Sequence, residues 1–204
     1  MTICLVTDRR RRDPVGQAAQ AAAAGIDWIQ IREHDLEASA LAAMVSAVLD
    51  AVRGTSTRVV VNDRLDVAMA CGAHGVHLRA DSIPPADARR LAPRGFLVGR
   101  SVHGVAEAAQ AAESVDYLIA GTVFATSSKP EGHALLGTDG LREIARAVRV
   151  PVLAIGGMTR ERLAEVAAAG AAGLAAIGLF SGEMVAATEV VRWRQLFDRT
   201  RSAS

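Results

Sequence analysis

Polar side chains that suit phosphate chemistry form two groups in this 204-residue sequence, and each group follows short apolar runs. The first pairs cations with an amide and a carboxylate. That set suits a magnesium-bound phosphate, because Mg²⁺ takes one or two protein oxygens and fills its shell with phosphates and water. The second combines hydroxyls, a lysine and glycines, whose bare backbone amides can cradle an anion. The residues therefore predict a site for two phosphorylated small molecules or one long one. The first group comprises Arg32, His34, Asn62 and Asp63, and the second comprises Thr126, Ser127, Ser128, Lys129, Gly156, Gly157 and Gly178.

Several of these residues also have a purely structural interpretation, which the sequence leaves open. Asp63 can cap a helix that begins near Arg64, and the pair at 156–157 can be only a tight turn. His77 can be a satisfied structural histidine, and His133 is expected to face solvent. The other polar candidates that follow apolar runs are Gln30, Glu33, Arg79, Asp81, Ser82, Arg100, Ser101 and His103.

The elements that must position these side chains repeat a short apolar run, a polar turn and an alanine-rich amphipathic stretch. Continuous apolar runs between helical stretches are typical of buried parallel strands. Eight such units predict an α/β fold, a TIM (β/α)8 barrel whose active site lies at the C-terminal ends of its strands. The alternative is an open doubly wound sheet, and its dinucleotide-binding form is weakened because no GxGxxG follows the first run. The runs are ICLVT (3–7), DWIQIR (27–32), RVVVN (58–62), GVHL (75–78), FLVGR (96–100), DYLIA (116–120), PVLAI (151–155) and GLAAIG (173–178).

The stretches between the runs carry helical spacing, as in residues 36–52 and 160–170. Gly25, Gly72 and Gly170 each close such a stretch, where a helix C-cap favours glycine. The prediction is a single domain over residues 1–204, with the last few residues disordered.

The connection GTVFATSSKPEGHALLGT (121–138) is long for a compact domain, and such loops usually have a function. We predict that its TSSK segment (126–129) clamps a phosphate group against the glycines that follow the seventh and eighth strands. The segment 130–137 is expected to move as a lid, since Gly132 and Gly137 permit the bend.

Composition excludes several function classes. A formal net charge of +1 and an aromatic content of 3% argue against a nucleic-acid binder. No apolar run is long enough to cross a bilayer, so no membrane partner is expected. Cys4 and Cys71 form neither a metal-binding spacing nor a disulfide framework, and the N-terminus lacks a signal-peptide layout, which together predict a cytoplasmic protein.

Five segments in the same order along nearly the whole chain resemble the thiamin-phosphate synthase / TenI family. They are QIREHD (30–35), VNDRLDVAMACGAHGVHL (61–78), GRSVH (99–103), GTVFATSSK (121–129) and PVLAIGGMT (151–159). The resemblance implies a TIM barrel. It also implies one of two activities. A synthase joins hydroxymethylpyrimidine pyrophosphate to a thiazole phosphate with magnesium assistance, whereas a TenI enzyme tautomerises a thiazole carboxylate phosphate by proton transfer.

The synthase resemblance implies a pyrophosphate-binding half. Gln30, Arg32 and Asn62 match its pyrophosphate ligands, but His34 stands where the family has lysine, and a neutral histidine binds phosphate more weakly. Asp63 matches a magnesium ligand. The second magnesium aspartate falls at Ser82 here, and Asp81, one residue earlier, can replace it only if the turn shifts.

The resemblance also implies a thiazole-phosphate-binding half. Its expected residues are Thr126, Ser128, Lys129, Gly156, Gly157, Ile177 and Gly178. Ser101 matches a serine that lies over the substrate. The catalytic residues expected on this basis are Arg32, Asp63, Ser101 and Lys129.

The TenI comparison is less complete. That branch places a histidine in a GHVF-type stretch, where this chain has GTVF and therefore Thr122. Without help, a threonine hydroxyl cannot act as a base near neutral pH, which leaves His77 and His103 as alternative proton carriers.

Three hypotheses follow. They are a divergent thiamin-phosphate synthase, which we favour, a TenI-type tautomerase, and a non-catalytic protein that binds thiazole phosphate. A synthase requires Mg²⁺, whereas a tautomerase requires no cofactor. The expected partners are small phosphorylated substrates, and a homodimer is the expected assembly.

Overall fold

The computed structural model describes residues 1–126, 129–130, 132–182 and 185–202. Within these ranges, eight parallel strands close into a barrel in which each strand pairs with its neighbours in sequence and β1 also pairs with β8. The strands are β1 (Thr2–Val6), β2 (Trp28–Ile31), β3 (Arg58–Asn62), β4 (Gly75–Leu78), β5 (Leu97–Val102), β6 (Tyr117–Ala120), β7 (Val152–Ile155) and β8 (Gly173–Ala176). The TIM-barrel prediction is therefore confirmed, and each of the eight predicted runs overlaps a strand.

A helix follows every strand and covers the outside of the barrel. The helices are α1 (Pro14–Ala23), α2 (Ala38–Ala51), α3 (Leu65–Ala70), α4 (Pro85–Leu91), α5 (Val105–Ala112), α6 (Gly137–Ala147), α7 (Leu163–Ala168) and α8 (Ala187–Ser202), with a short 3₁₀ helix at Gly178–Phe180. Among the described residues, no helix combines the length and apolar character needed to cross a membrane. The predicted disorder at the C-terminus concerns residues 203–204, which lie outside the described ranges.

Alternation along the strands divides the core into two layers. Along β1, Ile3 and Leu5 belong to the large apolar cluster that includes the helices, whereas Cys4 and Val6 belong to a smaller cluster with Tyr117. This alternation is the period of two that turns successive side chains to opposite faces of a strand. The smaller cluster fills the barrel interior and forms the floor beneath the strand ends, where the candidate site lies.

Candidate active site

A cavity of about 590 Å³ opens at the C-terminal ends of the strands, as the barrel fold predicts. His34, Asp63 and Ser82 do not contribute to its wall. Ser128, which we expected to bind phosphate, lies outside the described residues. The predicted residues that line the cavity are Gln30, Arg32, Asn62, His77, Arg79, Asp81, Ser101, His103, Thr122, Thr126, Lys129, Gly156, Gly157, Ile177 and Gly178.

The first half of the cavity holds a buried amide pair and an exposed cation. Gln30 Nε2 donates to Asn62 Oδ1 at 3.1 Å, and both side chains are buried. Gln30 Oε1 is also buried, yet it has no donor in the part of the chain that the structure describes. Arg32 is exposed, and within the same ranges its guanidinium group makes no hydrogen bond or ion pair. Both groups therefore keep binding capacity for a ligand.

Glu33 is a structural residue rather than a ligand contact. It is only 5% exposed, and its Oε1 accepts from Thr7 Oγ1 at 2.7 Å and from the backbone N–H of Arg9 at 3.0 Å. Thr7 Oγ1 in turn accepts from the backbone N–H of Arg32 at 3.0 Å. The loops after β1 and β2 are thus tied together beneath the guanidinium group of Arg32, while His34 lies exposed away from the cavity.

The Asp63 carboxylate does not cap a helix, so that structural interpretation is wrong. The α3 cap position is Arg64, and Asp63 Oδ1 instead accepts a short hydrogen bond from Ser82 Oγ. Ser82 Oγ also accepts from the backbone N–H of Arg79 at 2.8 Å. Ser82, which occupies the expected position of the second metal ligand, therefore contacts Asp63, the expected first ligand.

Asp81 is held in a different contact. Its carboxylate pairs with Arg79, which also lies 4.0 Å from Asp63 Oδ2, and the Asp81 side chain is 67% exposed. Among the described residues, no three His, Cys, Asp or Glu side chains converge as a metal cluster. One carboxylate beside one hydroxyl still fits Mg²⁺, because this ion draws most of its ligands from phosphates and water.

The second half of the cavity is built on two glycines. Gly156 and Gly157 have φ values of 102° and 61°, a region that side chains rarely adopt. A Cβ at Gly156 would lie 2.5 Å from Thr122 Cγ2, and one at Gly157 would lie 2.4 Å from the carbonyl oxygen of Ala125. The turn therefore packs directly on the loop after β6, and its amides are uncovered by side chains. Such amides suit a phosphate group.

Arg162 lines this half of the cavity, and sequence reasoning missed it. Its Nη1 donates a short hydrogen bond to the carbonyl oxygen of Gly157, and its guanidinium carbon lies 4.3 Å from the ring centroid of Phe124. It comes six residues after Gly156, at the end of the strand-seven loop. No motif marks it, so only the folded loop reveals its position.

The end of the long loop packs against its start, directly after β6. Leu136 N–H donates to the carbonyl oxygen of Thr122 at 2.8 Å, and His133 Nε2 lies 3.3 Å from Thr122 Oγ1. His133 is only partly exposed, so the expectation that it faces solvent is wrong. Lys129 is exposed at the cavity, and its backbone N–H donates to the carbonyl oxygen of Thr126 at 3.3 Å.

A buried imidazole lies beneath the cavity wall. His77 Nε2 lies 2.9 Å from Ser101 Oγ, and His77 Nδ1 lies 3.2 Å from the Tyr117 hydroxyl. Burial, with smaller effects from the cations Arg100 and Arg32, lowers the pKa of His77 from 6.5 to about 3. Burial also raises the pKa of Tyr117 well above its usual value. Both groups are therefore neutral at physiological pH, and His77 is not a proton carrier that titrates near neutrality.

Unlike the buried His77, His103 lies at the surface of the cavity. Its ring Nδ1 makes a short contact with the carbonyl oxygen of Gly121, and its backbone N–H donates to Glu107 Oε2 at 2.8 Å. The residue is exposed at the cavity edge.

Several known proteins are similar to this chain in sequence and fold. The family model described as "Thiamine monophosphate synthase" matches residues 3–180. Thiamine-phosphate synthase of Methanoregula boonei is 46% identical over 177 residues, covering 85% of this chain and 82% of the relative. The enzyme of the same name from Methanoculleus marisnigri is 44% identical over 183 residues, covering 88% and 87%. The solved structure of thiamine phosphate pyrophosphorylase from Pyrococcus furiosus superposes with a TM-score of 0.86 at 30% identity, covering 98% of this chain and 96% of that one.

Proposed function

The chain belongs to the thiamine monophosphate synthase family, and from this premise we propose that it is a thiamin-phosphate synthase. It would join hydroxymethylpyrimidine pyrophosphate to a thiazole phosphate and release pyrophosphate. The observation that carries the proposal is a single cavity with a separate anion-binding group in each half. Arg32 marks one half, and the turn at 156–157 with Lys129 marks the other.

In the first half, the free groups suit both parts of a pyrimidine pyrophosphate. The guanidinium group of Arg32 has no competing carboxylate among the described residues, so it is available to a pyrophosphate oxygen. Gln30 Oε1 can only accept hydrogen bonds, and an anion offers it no donor. This atom therefore fits an N–H group on the organic ring, while Asn62 holds the Gln30 amide in place.

We propose Mg²⁺ as the cofactor. Asp63 would hold it, with Ser82 as a neutral neighbour. When bound, the ion supplies positive charge that stabilises the departing pyrophosphate. Asp81 is the weaker candidate because its carboxylate is paired with Arg79.

In the second half, the chain would hold the thiazole phosphate and aim its ring at the pyrimidine. The amides of Gly156 and Gly157, the ammonium of Lys129 and the loop residue Thr126 surround the expected phosphate position. The apolar floor includes Ile119 and Ile155. Catalysis on this view is positioning of the acceptor and electrostatic support of the leaving group.

A TenI-type tautomerase is the second candidate, and one contact favours it. His133 brings an imidazole to 3.3 Å from Thr122 Oγ1, the position where that branch carries its histidine. The lid would then supply the base that β6 lacks. The proton transfer would need neither Arg32 nor Asp63.

The two candidates are separated by one pair of assays on the purified protein. The synthase assay supplies hydroxymethylpyrimidine pyrophosphate and thiazole phosphate with and without Mg²⁺, and the tautomerase assay supplies the thiazole carboxylate phosphate alone. We expect magnesium-dependent thiamin phosphate and no tautomerisation. Tautomerisation that is lost in His133→Ala would instead establish the second candidate, and binding without either reaction would indicate a non-catalytic protein.

We also propose that small phosphorylated molecules are the partners, that nucleic acid is not, and that the protein acts in the cytoplasm. The near-neutral net charge of +1 supports the exclusion of nucleic acid. A homodimer is also proposed, in which a second copy would cover an exposed apolar side chain such as Val191 on α8, which is 52% exposed. Its test is the molar mass of the purified protein in solution.

A further inference from the structure

A chain of three side chains runs from the barrel interior to the cavity. Tyr117 is fully buried, with its ring 4.5 Å from that of Trp28 and so close to Gly99 that a Cβ there would lie 2.1 Å from its Cζ. Its hydroxyl lies 3.2 Å from His77 Nδ1, and His77 Nε2 lies 2.9 Å from Ser101 Oγ. Only Ser101 is partly exposed, at the cavity wall.

The direction of these hydrogen bonds follows from the need to satisfy buried donors. Among the described residues, His77 Nδ1 is the hydrogen-bond partner of the Tyr117 hydroxyl. If Nδ1 carried the proton and donated to Tyr117, the phenol proton would have no acceptor in the core, which is strongly unfavourable. Tyr117 therefore donates to Nδ1, and a neutral imidazole then carries its proton on Nε2.

These hydrogen bonds also set the orientation of the Ser101 hydroxyl at the cavity wall. His77 Nε2–H donates to Ser101 Oγ, so the Ser101 proton is left to point away from the imidazole. A hydroxyl that accepts one hydrogen bond becomes a better donor of another. The burial of His77 and the neighbouring cations Arg100 and Arg32 keep the imidazole neutral, which preserves this direction.

We propose that Tyr117 and His77 are positioning residues that fix Ser101 as a hydrogen-bond donor toward an anionic oxygen of the bound substrate. The inference rests on the proposed function for the identity of the substrate. It assigns the buried histidine neither an acid–base step nor a metal. The histidine sets the orientation of a hydroxyl that touches the ligand.

The first test is independent of activity. Nitrogen-15 chemical shifts of the histidine rings distinguish Nε2–H, Nδ1–H and doubly protonated imidazole, and the His77→Gln variant identifies the His77 signals. We expect Nε2–H in the substrate-free protein at pH 7. Nδ1–H or an imidazolium there would overturn the proposal.

The second test is a double-mutant cycle on kcat/KM. Ser101→Ala should lower it by about 10- to 100-fold, as for loss of a hydrogen bond to a charged group. His77→Asn should cause a similar loss, because its shorter amide does not reach Ser101 Oγ. The double variant should be no slower than Ser101→Ala, since His77 acts only through that hydroxyl.

His77→Gln is the matched control, because its amide N–H can occupy the position of Nε2–H. It should retain most of kcat/KM, and thermal unfolding of each variant checks that the barrel is intact. Additive losses in the cycle, or no recovery in a folded His77→Gln, would reduce His77 to a packing role. If the wild type forms no thiamin phosphate, the proposed function fails, and the ring-nitrogen measurement still decides this inference.

Discussion

At the scale of single residues, the two halves of the cavity differ in how their cations are supported. Arg32 rests on loops tied by Glu33 and Thr7, whereas Lys129 lies on the long loop after β6, where its backbone N–H donates to the carbonyl oxygen of Thr126 at 3.3 Å. Neither cation has a carboxylate partner among the described residues. Each is therefore available to an anion, and each should affect one substrate more than the other.

Lys129→Ala should weaken thiazole-phosphate binding by about tenfold or more, because a charged hydrogen bond contributes roughly 1.5–3 kcal/mol. Isothermal titration calorimetry measures the dissociation constant for thiazole phosphate. Arg32→Ala is the matched control, since it removes a cation of the other half and should leave this dissociation constant nearly unchanged. An equal loss in both variants would mean that the halves are not separate.

Ser82→Asp tests the metal assignment. A second carboxylate against Asp63 repels it without metal, so the variant should be less stable in chelator than the wild type. With magnesium the two carboxylates share the ion, and the Mg²⁺ concentration for half-maximal rate should fall by about tenfold. Ser82→Ala serves as the control, and an unchanged magnesium midpoint in Ser82→Asp would place the ion elsewhere.

Sequence reasoning located most cavity residues because they come directly after strands, and the fold puts strand ends on one rim. It missed Tyr117 and Arg162, whose partners His77 and Gly157 become neighbours only after folding. It also left open a helix cap as the role of Asp63. The competing contact from Ser82 lies 19 residues away, so no local pattern could reveal it.

At the scale of elements, the loops after β1 and β2 behave as one unit. The buried Glu33 carboxylate accepts from Thr7 and Arg9, and Arg9 and Arg10 both pair with Asp35. The arginine run at residues 9–12 is thus largely engaged in contacts that hold the rim. The loop carrying Arg32 depends on this tie for its position.

Glu33→Gln should reduce the free energy of unfolding by about 1–3 kcal/mol, because buried donors lose a charged acceptor. It should also lower kcat/KM, since the loop of Arg32 loosens. Glu37→Gln is the control, because Glu37 is exposed and makes no side-chain cap bond, and should stay within about 0.5 kcal/mol. Urea unfolding measures the free energy of unfolding of both variants. Equal values would show that the hydrogen bonds of Glu33 contribute little to stability.

Strands were the easiest elements to predict, since most of their residues are apolar and most are buried. Helix ends at Gly25, Gly72 and Gly170 were also predictable, and all three have positive φ. The course of residues 121–138 was not, because the contacts of Leu136 and His133 with Thr122 are set by the folded loop.

At the scale of the whole molecule, stability should depend on pH through His77. The pKa of this residue falls from 6.5 to about 3 on folding, so between these values the unfolded chain binds more protons than the folded one. The stability that neutral His77 contributes is therefore fully present above pH 6.5 and is lost as the pH falls toward 3. The slope should approach about 1 kcal/mol per pH unit.

Urea unfolding from pH 7 to pH 4 measures this slope in the wild type and in His77→Gln. The pKa of His74 is also lowered, mainly by burial, and adds in the same direction, so the difference between the two proteins isolates His77. Identical slopes in the wild type and His77→Gln would show that the pKa of His77 is not lowered by folding.

The barrel as a whole brings the two anion-binding halves to one cavity, although their residues are spread from Gln30 to Gly178. The central claim is that this cavity couples two phosphorylated substrates. The most direct measurement is the amount of thiamin phosphate and of pyrophosphate formed by the purified protein across a magnesium titration, with Asp63→Asn in parallel. We predict equal amounts of both products, dependence on Mg²⁺, and a large rate loss in Asp63→Asn. Pyrophosphate release without thiamin phosphate, or full activity in chelator, would contradict the account.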